Sequence, residues 1–365
     1  MPTKKKSKKG DKKKDNIPLS PGKDPMALFN SYSIFCKTTG LETNDSIRSS
    51  LTNEENPHFG KRIIIDEGGN SCTATTSNNS RALHKPLGSG DCRALATAIL
   101  GCGAGMPNLP DGKPVLYTAL KELRIWNGKI GNSGASAIAE ILRLGGSELQ
   151  LNFLELMGGR ISHHGALDIG RSLSVAVNKS LIVLMLDFNP LGSEGIKNLC
   201  RGLRTNSTLK KLSTRHCDIE IDGGGFIGEM LSFSRLALAT IDLTSNRLGS
   251  SGLSAISQGL LQNKSIKSFK IADNEISAVD LDDIRCFATV LTDHPCLQTV
   301  DLSKNRIGVD GALILIPSLS RKNKRITSFL IDTNLPSDIY KALYRTSSGS
   351  NGKKKAKKKA KKKKK

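Results

Sequence analysis

The tightest constraint on this 365-residue chain is its self-similarity. An apolar pattern that starts at Leu120 returns at Leu151, Leu181, Leu209, Leu238, Ile266, Leu297 and Ile326, in steps of 28 to 31 residues. The copy from Leu238 to Leu260 is the cleanest. Leu238, Ile241, Leu243 and Leu248 mark a short strand and the turn leaving it, with Asn246 between the last two; Leu253, Ile256 and Leu260 then follow a helical period. One strand and one helix cannot bury their own apolar face, so each unit needs a neighbour on both sides. Eight units in succession predict an α/β solenoid, with a parallel sheet on the concave side and helices on the convex side.

The spacing and the Leu, Ile and Asn positions resemble the leucine-rich repeat, in the long-repeat subclass of ribonuclease inhibitor, over residues 61–345. That resemblance implies a curved horseshoe and, for function, a binding surface rather than a particular activity. Around the regular repeats at 120–345 the chain divides into a disordered basic tail (1–25), a helical N-terminal cap (26–60), an irregular first repeat with loop insertions (61–119) and a disordered poly-Lys tail (346–365). Leu28, Tyr32, Phe35 and Cys36, a break at Thr39 to Leu41, and Ser46 to Leu51 carry the helical reading of the cap. Such a cap closes the apolar edge that a first repeat leaves open. Tyr32, Cys36, Gly40, Leu41, Ile47 and Leu51 also resemble the cap of repeat proteins from cilia, flagella and centrosomes. Within 61–119, Lys61 to Asp66 reads as a strand, Glu67 to Ser80 as a flexible insertion, and Cys92 to Leu100 as a helix capped by Asp91.

Charge is concentrated at the ends. Of the net +22, residues 1–15 and 353–365 supply +17, leaving +5 for everything between. Lys353, Lys354, Lys355, Lys357, Lys358, Lys359, Lys361, Lys362, Lys363, Lys364 and Lys365 form a polycation without an aromatic residue. It suits acidic polymers such as tubulin tails or RNA, bound through counterion release and largely without regard to sequence. The eight cysteines are scattered with no metal-ligand spacing, so reduced thiols are expected. No secretory leader or membrane-spanning run is evident, and the expectation is a soluble cytoplasmic protein.

Several apparent motifs have structural readings. Asn189, Asn246, Asn274, Asn305 and Asn334 follow their strands and resemble the family's asparagine ladder, whereas Gly128, Gly159 and Cys217 occupy the same place in other units and predict looser turns there. Asn178, Asn206 and Asn263 match the glycosylation pattern, but they lie between helix end and strand, where a left-handed helix cap is expected. His163-His164 lacks a third ligand, and Gly223-Gly224-Gly225 reads as a turn without the Lys-Ser or Lys-Thr of a phosphate loop. No catalytic set, cofactor site or metal site emerges, so a non-enzyme is expected.

Strand alternation assigns the concave face. With Ile241 and Leu243 pointing inward, the outward residues of the first three regular units are Glu122, Arg124 and Trp126; Phe153, Glu155 and Met157; Val183, Met185 and Asp187. Trp126, Phe153, Met157, Val183 and Met185 are an apolar cluster expected on a wet face and rimmed by charge, the make-up of a protein interface, unless loops 67–86 or 101–116 fold over it. Later units present small polar residues such as Thr240, Asp242 and Thr244. The expected function is a monomeric scaffold, with a protein partner on the concave face and basic tails on an acidic assembly such as the ciliary, flagellar or microtubule cytoskeleton. The rivals are a nuclear or nucleolar RNA-associated protein and a GTPase regulator. Ribonuclease inhibitors are acidic and rich in Cys and Trp, and Ran GTPase activators carry an acidic tail where this chain has Lys; both differ from what is found here.

Overall fold

The structure is a computed structural model that describes residues 21–66, 87–102, 114–174, 177–320 and 322–346. Expectations about tail disorder, the insertions at 67–86 and 103–113, and the lysines Lys353 to Lys365 lie outside the described residues.

Among the described residues nine parallel strands form one sheet in strict sequence order. They are β1 (Arg62–Asp66), β2 (Glu122–Trp126), β3 (Phe153–Met157), β4 (Val183–Met185), β5 (Lys211–Ser213), β6 (Thr240–Asp242), β7 (Ser268–Lys270), β8 (Thr299–Asp301) and β9 (Ser328–Leu330). Two helices precede β1, α1 (Pro25–Thr38) and α2 (Asp45–Thr52). The strands are then followed in turn by α3 (Ser89–Ile99), α4 (Gly131–Gly145), α5 (His163–Ser172), α6 (Gly192–Leu203), α7 (Ile221–Leu231), α8 (Gly249–Gln262), α9 (Leu281–Asp293), α10 (Gly308–Leu315) and α11 (Ser337–Leu343). The predicted α/β solenoid is thus the observed one.

The repeat period becomes a layered core. Leu123, Leu154, Leu184, Leu212, Ile241, Phe269, Val300 and Phe329 are stacked in one fully buried row, joined by Leu156, Leu186, Leu243, Ile271 and Leu302 two residues on. Apolar burial of this kind is the dominant stabilising force. The helices close the other side, and glycine decides how near some of them come. A methyl group at Gly202 would sit 1.8 Å from the Gly170 carbonyl oxygen, so α5 and α6 meet backbone to backbone. Gly223 to Gly225, expected in a turn, instead lie within α7, where a methyl at Gly224 would meet the Gly252 backbone at 2.6 Å. Small side chains here are a packing requirement.

Two stacks of polar side chains hold successive units in register. In the first, Asn246 accepts from the Cys217 and Ile219 amides at 3.0 and 3.1 Å and donates to the Thr214 and Leu243 carbonyls at 2.9 and 2.8 Å. Asn189 and Asn305 bond in the same manner across units, while Asn274 donates to the Leu243 carbonyl but accepts from no amide through its side chain among the described residues. Cys217 does not loosen its turn: its thiol donates to the Leu186 carbonyl at 3.2 Å in place of an amide. Asn334 lies exposed beyond the last strand and takes no such place.

The second stack is formed by Asn178, Asn206 and Asn263, and their expected conformation is corrected. None has positive φ, and Asn263 is extended at φ −78°, ψ 142°. Asn206 accepts from the Thr208 and Leu209 amides at 3.0 and 2.8 Å and donates to Leu173 of the preceding unit at 2.6 Å. The other two repeat these contacts. Buried side chains with both ends engaged leave no nitrogen for a glycan.

Both ends are closed. The α1 and α2 helices cover β1 and α3, where the Tyr117 hydroxyl donates to the Gly60 carbonyl at 2.6 Å and the Asn44 amide donates to the Tyr32 hydroxyl at 3.1 Å. The α3 helix starts earlier than expected, at Ser89; Asp91 lies in its first turn and accepts from the Gly88 amide at 2.8 Å. At the far end Arg345 pairs antiparallel with Phe329, and its guanidinium donates to the Asn323 and Ile326 carbonyls at 2.7 and 3.1 Å, and to those of Leu319 and Ser320. An edge that would template further strand pairing is thereby blunted.

Candidate functional site

The strand register places the sequence-derived face as one continuous surface. Glu122 lies opposite Phe153, Arg124 opposite Glu155 and Trp126 opposite Met157; Phe153 and Glu155 in turn face Val183 and Met185. Trp126, Phe153, Met157, Val183 and Met185 are all half-buried, while the alternate residues Leu123, Ile125, Leu154 and Leu156 are buried in the core. The ring nitrogen of Trp126 is enclosed and meets no acceptor among the described residues.

The charged members are not a free rim. Arg124 is held between two carboxylates, 3.3 Å from Glu122 and 3.5 Å from Glu155, with its guanidinium carbon 4.1 Å from the centre of the Phe153 ring. Glu122 also accepts from Arg62 at 2.8 Å, a contribution of β1 that the reading of the regular repeats omitted. Partial burial pushes the Glu122 carboxyl upward, but the Arg62 hydrogen bond and charge, joined by Arg124, outweigh it and hold the group below its ordinary range. Four alternating charges thus run across three strands. Glu155 is only 7% exposed and Asp187 only 1%. Asp187 is consumed locally, accepting from the Ser213 hydroxyl at 2.7 Å, the Arg215 amide at 2.9 Å and the Arg215 side chain at 3.0 Å. Asp187 therefore braces the sheet from within through donors on the next strand, whereas Glu155 is held by the Arg124 ion pair on the preceding one.

One exposed aromatic escaped the strand-alternation reading. Phe188 follows Asp187, is 46% exposed and adopts φ 59°. Its ring stacks on His216 of the next unit, with centroids 4.5 Å apart and planes 13° apart. Asn127, Gly158, Ser245, Asp273 and Lys304 hold the same left-handed place in other units. A bulky aromatic there costs about 1–2 kcal/mol. The signal available in the sequence was Phe in a turn otherwise filled by Gly or polar residues.

His163 and His164 are exposed at the start of α5 with rings 4.0 Å apart, and among the described residues no three potential ligands converge as a metal site. The described cysteines are free, and burial pushes the thiols of Cys92, Cys200 and Cys217 up to about 12, which leaves them unreactive. Among the described residues no helix is long and apolar enough to cross a membrane.

Strand–helix units stacked through a parallel sheet and a buried asparagine ladder define the class of repeat solenoids. A family model described as Leucine Rich repeat matches residues 177–200, 238–257 and 293–313. The ribonuclease inhibitor of Sus scrofa is 27% identical over 257 residues, 68% of this chain and 55% of that protein. NACHT, LRR and PYD domains-containing protein 12 of Mus musculus is 28% identical over 209 residues, 57% of this chain and 19% of that protein. The chain therefore spans about half of the first relative and about a fifth of the second. Among solved structures, a tropomodulin C-terminal domain of Caenorhabditis elegans aligns at 17% identity and a TM-score of 0.36, covering 45% of this chain and 94% of that one. Leucine-rich repeats are thus present in this chain, and in repeat pattern and sequence it is similar to ribonuclease inhibitor.

Proposed function

We propose that this protein is a non-enzymatic scaffold that holds a protein partner against β2, β3 and β4, while its lysine-rich ends attach it to an acidic assembly of the ciliary, flagellar or microtubule cytoskeleton. The observation that carries the first half is the contiguous half-exposed patch of Trp126, Phe153, Met157, Val183 and Met185 beside a pinned Arg124. Aromatic, Met and Arg side chains are the types that dominate interface energetics, and immobilising Arg124 beforehand lowers the entropy cost of binding. Phe188 extends the same surface toward the strand ends. Inhibition of ribonucleases, which the name of one relative describes, fits poorly here, because the body keeps +5 without its ends and Glu122, Glu155 and Asp187 are already paired with arginines, whereas binding through charge complementarity would require a free acidic face. The cytoskeletal half rests on the cap residues Tyr32, Cys36, Leu41, Ile47 and Leu51 and on the polycation at Lys353 to Lys365.

Pull-down from native extract with the Trp126→Ala, Met157→Ala double variant tests the first half; loss of partners with an unchanged thermal midpoint is expected, and undiminished capture refutes it. Imaging the tagged chain with and without 353–365 tests the second. Microtubule or axonemal signal dependent on those residues is expected, and nucleolar signal favours RNA association instead.

A further inference from the structure

Because the strands are parallel, every helix-to-strand connection lies on one side of the solenoid and every strand-to-helix connection on the other. The two sides differ in charge. The segments 173–182, 204–210, 232–239, 263–267, 294–298 and 316–327, which lead into β4 through β9, contain no Asp or Glu, and the connection from α4 into β3 contains one, Glu148. They do contain Lys179, Lys210, Lys264, Lys267, Lys322 and Lys324, all exposed and none in an ion pair among the described residues. On the opposite side Asp218, Glu220, Asp273, Glu275 and Asp280 lead into the helices together with Lys129, Arg160, Arg247, Lys304 and Arg306, so that side is close to neutral. Aligned helix dipoles favour cations at helix C-termini, and Arg143, Arg171 and Arg201 answer that preference within the last turns. Lys210 and Lys267 stand immediately before strands, where the dipole gives no such reason.

Two further observations specify the occupant. Apolar side chains are interleaved with these lysines: Leu144 and Leu261 in last helical turns, Phe233 after α7 and Ile182 before β4 are all exposed. In addition, both described chain ends lie at this rim. The Thr118 amide, ahead of β2, donates to Gly22 at 2.8 Å, and Arg345 is bonded into 319–326 just before Thr346. The lysine-rich segments adjoining them, with their +17, are therefore attached where the folded body is itself basic.

We propose that this helix-to-strand rim docks flat on an anionic lipid bilayer, its lysines at the headgroups and Leu144, Ile182, Phe233 and Leu261 reaching toward the acyl boundary. A rim of nine strands stacked in one sheet extends for about 40 Å, with its connections all on one side. Lysines with apolar neighbours match interfacial membrane binding, whereas nucleic acid would call for stacking aromatics or arginine forks. This reading goes beyond the concave-face proposal and uses a different surface.

The test uses the full chain in a Trp126→Phe background with one new tryptophan, at Ile182→Trp or Leu144→Trp on this rim, or at Val309→Trp at the start of α10 on the other. On phosphatidylserine vesicles with brominated acyl chains, the rim probes should lose on the order of half their fluorescence and the Val309 probe almost none, the pattern expected of shallow interfacial insertion. Lys210→Glu, Lys264→Glu and Lys267→Glu together, with an unchanged thermal midpoint, should weaken partition at least about tenfold and abolish the difference between probes. Equal quenching on both rims overturns the proposal. So does vesicle sedimentation through the tails with no rim quenching, or rim protection only by RNA or an acidic peptide.

Discussion

Replacing His294 with asparagine should remove a pH dependence of stability while leaving the fold intact. His294 stands where the second ladder elsewhere has Asn178, Asn206 and Asn263, and its Nδ1 accepts from the Cys296 and Leu297 amides at 3.1 and 3.0 Å. Nδ1 must therefore be unprotonated, with the proton on the enclosed Nε2. Burial, followed by the Arg325 charge, lowers the pKa from 6.5 to about 4. The folded value lies below the unfolded one, so this stabilisation is complete above the unfolded value and is lost as pH falls toward the folded one. Linkage with those two values gives a loss of about 2 kcal/mol at about pH 5 and about 3 kcal/mol at about pH 4. For a folded body of this size, 2 kcal/mol corresponds to about 3 °C in Tm. Thermal unfolding followed by circular dichroism at about pH 7.5 and about pH 5, for the native chain and His294→Asn, isolates the contribution, because titrating carboxylates affect both. The native chain should lose more Tm between the two pH values by that margin. Equal losses would refute the assignment of Nδ1 as a buried acceptor.

Two glycines should respond in opposite directions. Gly202→Ala forces α5 and α6 apart at the Gly170 carbonyl and should cost about 1–3 kcal/mol, read as a lower urea midpoint. Gly225→Ala, on the exposed side of α7 with open space around it, should stabilise by up to about 1 kcal/mol. Arg345→Ala leaves the carbonyls of 319–326 without their donor and should destabilise the last repeat by about 2 kcal/mol, seen as faster amide exchange in β9 than in β5. Acidification below the ordinary carboxylate range should strip Glu122 of its charge and loosen the Arg62 and Arg124 contacts. The Arg124→Met variant should show a smaller acid-induced change in Trp126 fluorescence than the native chain.

The Asn246 position and the Ile241/Leu243 alternation were legible because each depends on residues within one unit. Local spacing alone determines which side chains of a strand face inward, so the repeat, the strand–helix order and the concave assignment of Trp126, Phe153, Met157, Val183 and Met185 follow from the sequence. What only the tertiary structure decided lies between units. Asp187 is buried because Ser213 and Arg215, 26 and 28 residues on, are brought against it; His294 joins an asparagine stack although it shares no chemistry with an amide beyond an acceptor atom. Phe188 and His216 stack, and lysines from distant loops gather on one rim, for the same reason. Stacking turns a separation of about 29 residues along the chain into about 5 Å through space, and no pattern within a single repeat records which neighbours that brings together.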